Sequence, residues 1–439
     1  MMKTQARSET VAPARALGRL APNIPGDKSI SHRAVIFAAM AEGESHVTNV
    51  APGEDVASSM RCVAALGATV VRDGLNVRIR GGAWRDPSEA LDCGNSGTTM
   101  RFLIGALAGR GIAATLTGDE SLSRRPMLRV AEPMRELGAV VDTASGGTAP
   151  VHVRGGHPLH GGHIVMKVAS AQLASSLMLA ATGANGRVTI SGAGTARDHT
   201  AKMLPHFGVA VQRNGDDIVV DGPQTFRAAD FRVPGDPSAA AFWLAAAAIV
   251  PGARLVVENV NLNPTRLGFV DALERMGAGV TITVTAEEPE PMGHIEVSAR
   301  PLHAIAIEEP EVPAILDELP LLGIVAAYAA GTTTVRGARE LRVKESDRIA
   351  VLVKGLRALG GSIDEVDDGF DVTGPSTSLG TGSVPLRGAT VESGGDHRLA
   401  MAFAIAALGA SAPVTIEDSG CVAISHPSFF ADLEALCRG

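Results

Sequence analysis

Pro25-Gly26-Asp27-Lys28-Ser29 returns later in the chain as Pro234-Gly235-Asp236-Pro237-Ser238. In both, an acid and a hydroxyl precede an Ala-rich run, as at a capped helix start. Six such Ala-rich helices can be read, over 27–43, 94–109, 170–183, 236–252, 317–331 and 395–409. A second phrase alternates with them: Leu66-Gly67, Leu137-Gly138, Phe207-Gly208, Met276-Gly277 and Leu359-Gly360. Its first four glycines recur at roughly 70-residue intervals, the mark of an internal repeat. Each glycine closes an amphipathic stretch (56–66, 127–137, 201–207, 267–276, 349–359) and suits a left-handed helix cap. A last stretch, 429–436, ends near the C-terminus. Strand-like runs follow the first four caps: Ala68-Thr69-Val70-Val71, Ala139-Val140-Val141, Val209-Ala210-Val211 and Gly279-Val280-Thr281-Ile282-Thr283-Val284. Six α/β units in two sets of three result. We expect a layered α/β fold of two domains, one over 25–236 and one over 1–24 plus 237–439. The two Pro-Gly-Asp segments would be the crossings.

Composition narrows the function. Of 439 residues, 45% are hydrophobic and 20% charged, which excludes a disordered chain. The net charge of −8, without a basic stripe, excludes a nucleic-acid binder, and at 3% aromatics there is little to stack on bases. The longest apolar run, near 239–250, falls short of the roughly 18 residues of a membrane span. Residues 1–20 hold no apolar signal core. Cys62, Cys93, Cys421 and Cys437 form no metal spacing, and we expect thiols in a reducing cytoplasm. His157, His160 and His163 lie by a Gly/Pro-rich turn without an acid or thiol, so we expect loop histidines and no metal. No Walker loop occurs, and Gly192-Ala193-Gly194 lacks the third glycine of a dinucleotide site.

What remains is a set of cations at helix starts. Helix N-termini present unpaired N–H groups and a partial positive charge, and so attract anions. Lys28-Ser29 with Arg33, Arg125-Pro126, Arg197-Asp198-His199, Lys344-Glu345-Ser346-Asp347-Arg348 and Asp396-His397-Arg398 all carry this signature. Asn95-Ser96-Gly97-Thr98 offers amides and hydroxyls without charge. Converging in one cleft, they would take a small substrate bearing several phosphates or carboxylates. A lone cluster of this kind is more often a solvated cap. Five within one repeat point to a site.

These segments, with Gly118–Met127 and Ser170-Ala171-Gln172, resemble the 3-phosphoshikimate 1-carboxyvinyltransferase (EPSP synthase) family over nearly the whole chain from about residue 20. The resemblance implies an inside-out α/β barrel in two domains, each of three βαβαββ units, with the active site in the interdomain cleft. It implies enolpyruvyl transfer from phosphoenolpyruvate to the 5-hydroxyl of shikimate 3-phosphate, in aromatic amino-acid biosynthesis, with no cofactor. It also implies a cytoplasmic monomer and a glyphosate target. By the same resemblance Lys28, Ser29, Arg33, Ser170, Ala171, Gln172, Arg197, Asp317 and Lys344 bind shikimate 3-phosphate. Lys28, Gly97, Arg125, Gln172, Arg348 and Arg398 meet phosphoenolpyruvate. Asp317 is the candidate base, Glu345 the candidate proton donor, and Lys28 the group assisting the departing phosphate. Burial would raise the Glu345 pKa and Lys344 and Arg348 would lower it, a balance the sequence leaves open.

Two positions depart from the pattern. Ile424 stands where class I relatives carry a lysine, which removes one phosphoenolpyruvate contact. Gly97 is the glycine that alanine replaces in many glyphosate-tolerant members, so its presence argues for sensitivity. The alternative is the sister transferase acting on UDP-N-acetylglucosamine. It uses a Lys-Asn pair and a loop cysteine, whereas here Ser29 follows Lys28 and the loop before Pro126 has no cysteine. An RNA 3′-phosphate cyclase would want a nucleotide site and a basic surface, and a repeat scaffold would have no use for clustered cations and acids.

Overall fold

Five glycines set the punctuation of this chain. Gly67, Gly138, Gly208, Gly277 and Gly360 all have positive φ, between 80° and 116°, so each ends its helix where an L side chain would be strained. The computed structural model describes residues 7–194, 196–376 and 386–438. Its described strands form six sheets.

Four sheets share one order: a first strand pairs in parallel with a second, the second pairs antiparallel with a third, and the third antiparallel with a fourth. In the first sheet these are Phe231–Arg232, Gly43–Thr48, Asn76–Gly81 and Thr69–Asp73. In the sheet Arg254–Asn261, Met292–Ser298, Gly279–Ala286 the parallel partner shrinks to a single bridge, Leu20 to Val256. In the last, Glu9–Val11 lies antiparallel and Thr390–Glu392 parallel to Val414–Glu417. This is the repeat read from the sequence, now as hydrogen-bonded ladders.

The chain divides into two units. The N-terminal unit holds 26–234 plus 288–290; the C-terminal unit holds 1–25, 235–287 and 291–439. Within the first, the N–H of Asp27 donates to the Pro234 carbonyl at 2.8 Å. Within the second, the N–H of Asp236 donates to the Pro25 carbonyl at 2.9 Å.

Three largely buried helices fill the core of each unit. Lys28–Met40, Gly97–Arg110 and Ala171–Ala181 serve the N-terminal one. Pro237–Ile249, Leu319–Ala326 and His397–Leu408 serve the other. Low amphipathicity is expected of helices buried all round. The helices Gly97–Arg110 and Ala171–Ala181 approach backbone to backbone: a β-carbon on Gly105 would stand 2.0 Å from the Ser176 carbonyl oxygen. The C-terminal core uses bulk instead, with Trp243 stacked on Phe429 at 5.1 Å between ring centres.

Some local readings change. Pro126 does not open a helix; Arg125 is extended after the 3-10 turn Leu122–Arg124, and the helix starts at Leu128. Val209-Ala210-Val211 is not a strand, which begins at Gln212. The stretch after Arg197 is a helix of only five residues, His199–Met203, followed by a 3-10 turn. Asp317 lies in the 3-10 turn Leu316–Glu318, so the helix read from 317 starts at Leu319. Lys344 and Glu345 precede the helix Arg348–Ala358, whose cap is Asp347. In each case tertiary packing overrides a local signal.

Candidate active site

In the N-terminal unit the helix Lys28–Met40 begins with Asp27 as its cap, whose carboxylate accepts from the Ile30 N–H at 2.9 Å. That fixes Lys28 at the first helical position, where its Nζ meets Asp55 Oδ2 at 3.1 Å. Burial pushes the Asp55 carboxyl up, but Lys28 and its other neighbours outweigh that and hold it below the ordinary value. One turn on, buried His32 bonds Ser59 Oγ through Nδ1 at 2.8 Å, and Ser59 bonds Thr99 at 2.7 Å. Burial drives the His32 pKa down to about 3, so the ring is neutral.

Arg33 is buried, under Phe102 at 4.7 Å. Its Nε donates to Thr200 Oγ1 at 2.7 Å, Nη1 to the Ser29 carbonyl at 2.7 Å, and Nη2 to Ser175 Oγ at 2.9 Å. Ser170 caps Ala171–Ala181, which puts Ala171 and Gln172 in the helix's first turn. Gln172 Oε1 accepts from Arg101 Nη1, and its Nε2 donates to Thr98 Oγ1 at 2.9 Å. A guanidinium only donates, so this orientation of the amide is enforced and Gln172 has an N–H to offer a ligand. Arg125 donates to Asn95 Oδ1 at 2.8 Å. A β-carbon on Gly97 would stand 3.1 Å from Arg101 Nη1 and 3.4 Å from Arg125 Nη1.

The C-terminal unit gathers the acids. Arg348, 1% exposed, donates through Nε to Asp396 at 2.7 Å and through Nη2 to Glu345 at 2.5 Å. Its Nη1 lies 3.4 Å from Asp317, which also has Lys344 at 4.0 Å and Arg398 at 3.8 Å. Lys344 pairs with Glu340 at 2.6 Å. Burial raises the Glu345 pKa, yet Arg348, its own backbone N–H and His397 outweigh it, so the carboxyl sits below its ordinary value. That resolves the balance left open by sequence. Asp396 behaves likewise, with Arg348 overcoming burial. Burial disfavours the Arg398 cation, but Asp317, Glu318 and Asp236 overcome that and raise its pKa.

The expected residues thus fall into two groups. Lys28, Ser29, Arg33, Gly97, Arg125, Ser170, Ala171, Gln172 and Arg197 belong to the N-terminal unit, and Asp317, Lys344, Glu345, Arg348 and Arg398 to the other. Sequence reasoning missed Asp55, Arg101 and Asp396 as partners of these groups. The Asp-His-Arg run could have pointed to Asp396; nothing local pointed to Asp55 or Arg101. Ile424 is 52% exposed at the end of the 3-10 turn Ser419–Ile424. Among the described residues no cluster of three His, Cys, Asp or Glu could hold a metal ion. No described helix is long and apolar enough to cross a membrane.

Comparison with known proteins adds a separate line. The family profile described as EPSP synthase (3-phosphoshikimate 1-carboxyvinyltransferase) matches residues 12–433. A protein of Roseiflexus sp. (strain RS-1) called 3-phosphoshikimate 1-carboxyvinyltransferase is 46% identical over 420 residues, 94% of this chain and 95% of its own. One of the same name from Bacillus velezensis is 42% identical, covering 95% of this chain and 96% of its own. A solved EPSP synthase from Acinetobacter baumannii superposes with a TM-score of 0.91 at 38% identity, covering 98% of both chains. The enolpyruvyl transferase NikO from Streptomyces tendae, at 20% identity and a TM-score of 0.78 over 98% of this chain and 97% of its own, shares the fold.

Proposed function

Because the chain belongs to the EPSP synthase family, we propose that it transfers the enolpyruvyl group of phosphoenolpyruvate to the 5-hydroxyl of shikimate 3-phosphate, releasing phosphate. Ser29, Arg33, Ser170, Ala171, Gln172 and Arg197 of the N-terminal unit hold shikimate 3-phosphate, together with Lys28, Asp317 and Lys344. Phosphoenolpyruvate is met by Lys28, Gly97, Arg125, Gln172, Arg348 and Arg398. Forked guanidiniums suit both carboxylate and phosphate.

The observation that carries the reading is the buried Arg348, which touches both Asp317 and Glu345. Asp317 takes the proton of the 5-hydroxyl as its oxygen attacks C2, and Glu345 delivers a proton to C3. The tetrahedral intermediate then loses phosphate as Lys28 gives the leaving oxygen a proton and the C3 proton returns to Glu345. Asp317 releases its proton to solvent and Lys28 takes one up, which restores the resting state. Glu345 must first acquire a proton. An anionic substrate beside Arg348 and Arg398 draws off the field that now stabilises the carboxylate, and so raises its pKa. The enzyme acts as a cytoplasmic monomer, which sedimentation of the pure protein checks for its assembly state.

The test is Glu345→Gln. We expect kcat to fall by about 10²–10⁴-fold, with loss of solvent deuterium incorporation at C3 of phosphoenolpyruvate. Wild-type exchange in the variant would remove Glu345 from the role.

A further inference from the structure

Three buried polar side chains in the C-terminal unit have no part in the chemistry above. Ser238 and Arg266 are each 4% exposed, and Glu318 is 5% exposed. They form a line. Arg266 Nη2 donates to Ser238 Oγ at 2.9 Å and to Asp236 Oδ1 at 3.0 Å. Ser238 Oγ donates to Glu318 Oε1. The same Glu318 oxygen accepts from Arg398 Nη1 at 3.4 Å.

The direction of these bonds is forced. A guanidinium has no acceptor, so Ser238 must accept from Arg266 and spend its own proton on Glu318. Its hydroxyl is polarised by the cation behind it, which strengthens its grip on the carboxylate. Burying this many polar groups costs more than filling the space with apolar side chains, so bulk packing does not account for them. The line ends on Arg398, whose Nη2 faces Asp317 at 3.8 Å.

We propose that Glu318, locked by Ser238 and Arg266, is a positioning residue that sets the Arg398 guanidinium for the phosphoenolpyruvate anion. Asp317 and Glu318 then divide the work: the first faces the reacting hydroxyl, the second holds the cation. The inference rests on the function proposed above.

The test is steady-state kinetics of Ser238→Ala, Glu318→Gln and the double variant, with phosphoenolpyruvate and shikimate 3-phosphate varied in turn. We expect the KM for phosphoenolpyruvate to rise about fivefold in Ser238→Ala and about tenfold in Glu318→Gln, with the KM for shikimate 3-phosphate within about twofold. The double variant should match Glu318→Gln alone, because both changes cut one path. Additive losses, an equal rise in both KM values, or an unchanged phosphoenolpyruvate KM would overturn the proposal. Absence of turnover in the wild type would instead sink the assigned reaction, so the two failures are distinguishable.

Discussion

Arg101 and Arg125 of the N-terminal unit are held differently from Arg348 of the C-terminal one. In the N-terminal unit Arg101 leans on Gln172, and Arg125 on Asn95 and Ser121, all neutral oxygens. Arg101 is buried, and burial together with Arg129 and Arg125 lowers its pKa to about 9. In the C-terminal unit Arg348 is wrapped by Asp396, Glu345 and Asp317. A cation held by neutral groups keeps its charge available for an arriving anion. One held by carboxylates is partly offset until an anion arrives, and it also sets the proton affinity of those acids. The repeat that built both units therefore did not give them equal chemistry. Both present cations for substrate, but the C-terminal unit pairs its buried arginine with the acids proposed for proton transfer.

That contrast can be broken by experiment. Arg348→Met strands buried Asp396, so it should cost about 3–5 kcal/mol and abolish turnover. Arg101→Met relieves like-charge crowding and should cost no more than about 1 kcal/mol while raising both KM values. Urea unfolding midpoints read the stability costs, and equal costs would erase the distinction.

Acid should act next. Burial keeps His32 neutral down to about pH 3 against an ordinary 6.5. The unfolded chain binds that proton first, so stability falls as pH drops through this window. His32→Asn should flatten the slope of stability against pH there, measured by thermal unfolding. For Asp55 the folded pKa is depressed, burial being outweighed by Lys28. Its contribution is present above the unfolded carboxyl value of about 4 and is lost as pH falls through the lowered folded one. The stability gap between wild type and Asp55→Asn should close over that range; a gap that persists at lower pH would deny the Lys28 pair its role.

A comparably small effect is expected at Gly97. An alanine methyl there meets Arg101 Nη1 at 3.1 Å, and a flexible guanidinium can yield. The cost should sit at the low end of overpacking, about 1 kcal/mol, or about a fivefold rise in the phosphoenolpyruvate KM.

Much of this was legible in the sequence because its signals are local. The capping glycines announce themselves because other residues rarely adopt positive φ. The Ala-rich helices and the cations at their starts follow from composition and spacing. What stayed hidden depends on residues far apart in the chain. Arg101 sits mid-helix, and only the packing of Gly97–Arg110 on Ala171–Ala181 turns it towards Gln172. Asp55 reaches Lys28 from the separate helix Glu54–Ala65. The sign of the Glu345 shift needed the Arg348 geometry, because burial and charge pull in opposite directions.

The central claim is a reaction needing both substrates and the Lys28 cation. The most direct test is phosphate release from phosphoenolpyruvate, with and without shikimate 3-phosphate, for wild type and Lys28→Ala. We expect release that requires both substrates and collapses in the variant. Release without shikimate 3-phosphate, or at the wild-type rate in Lys28→Ala, would contradict the account.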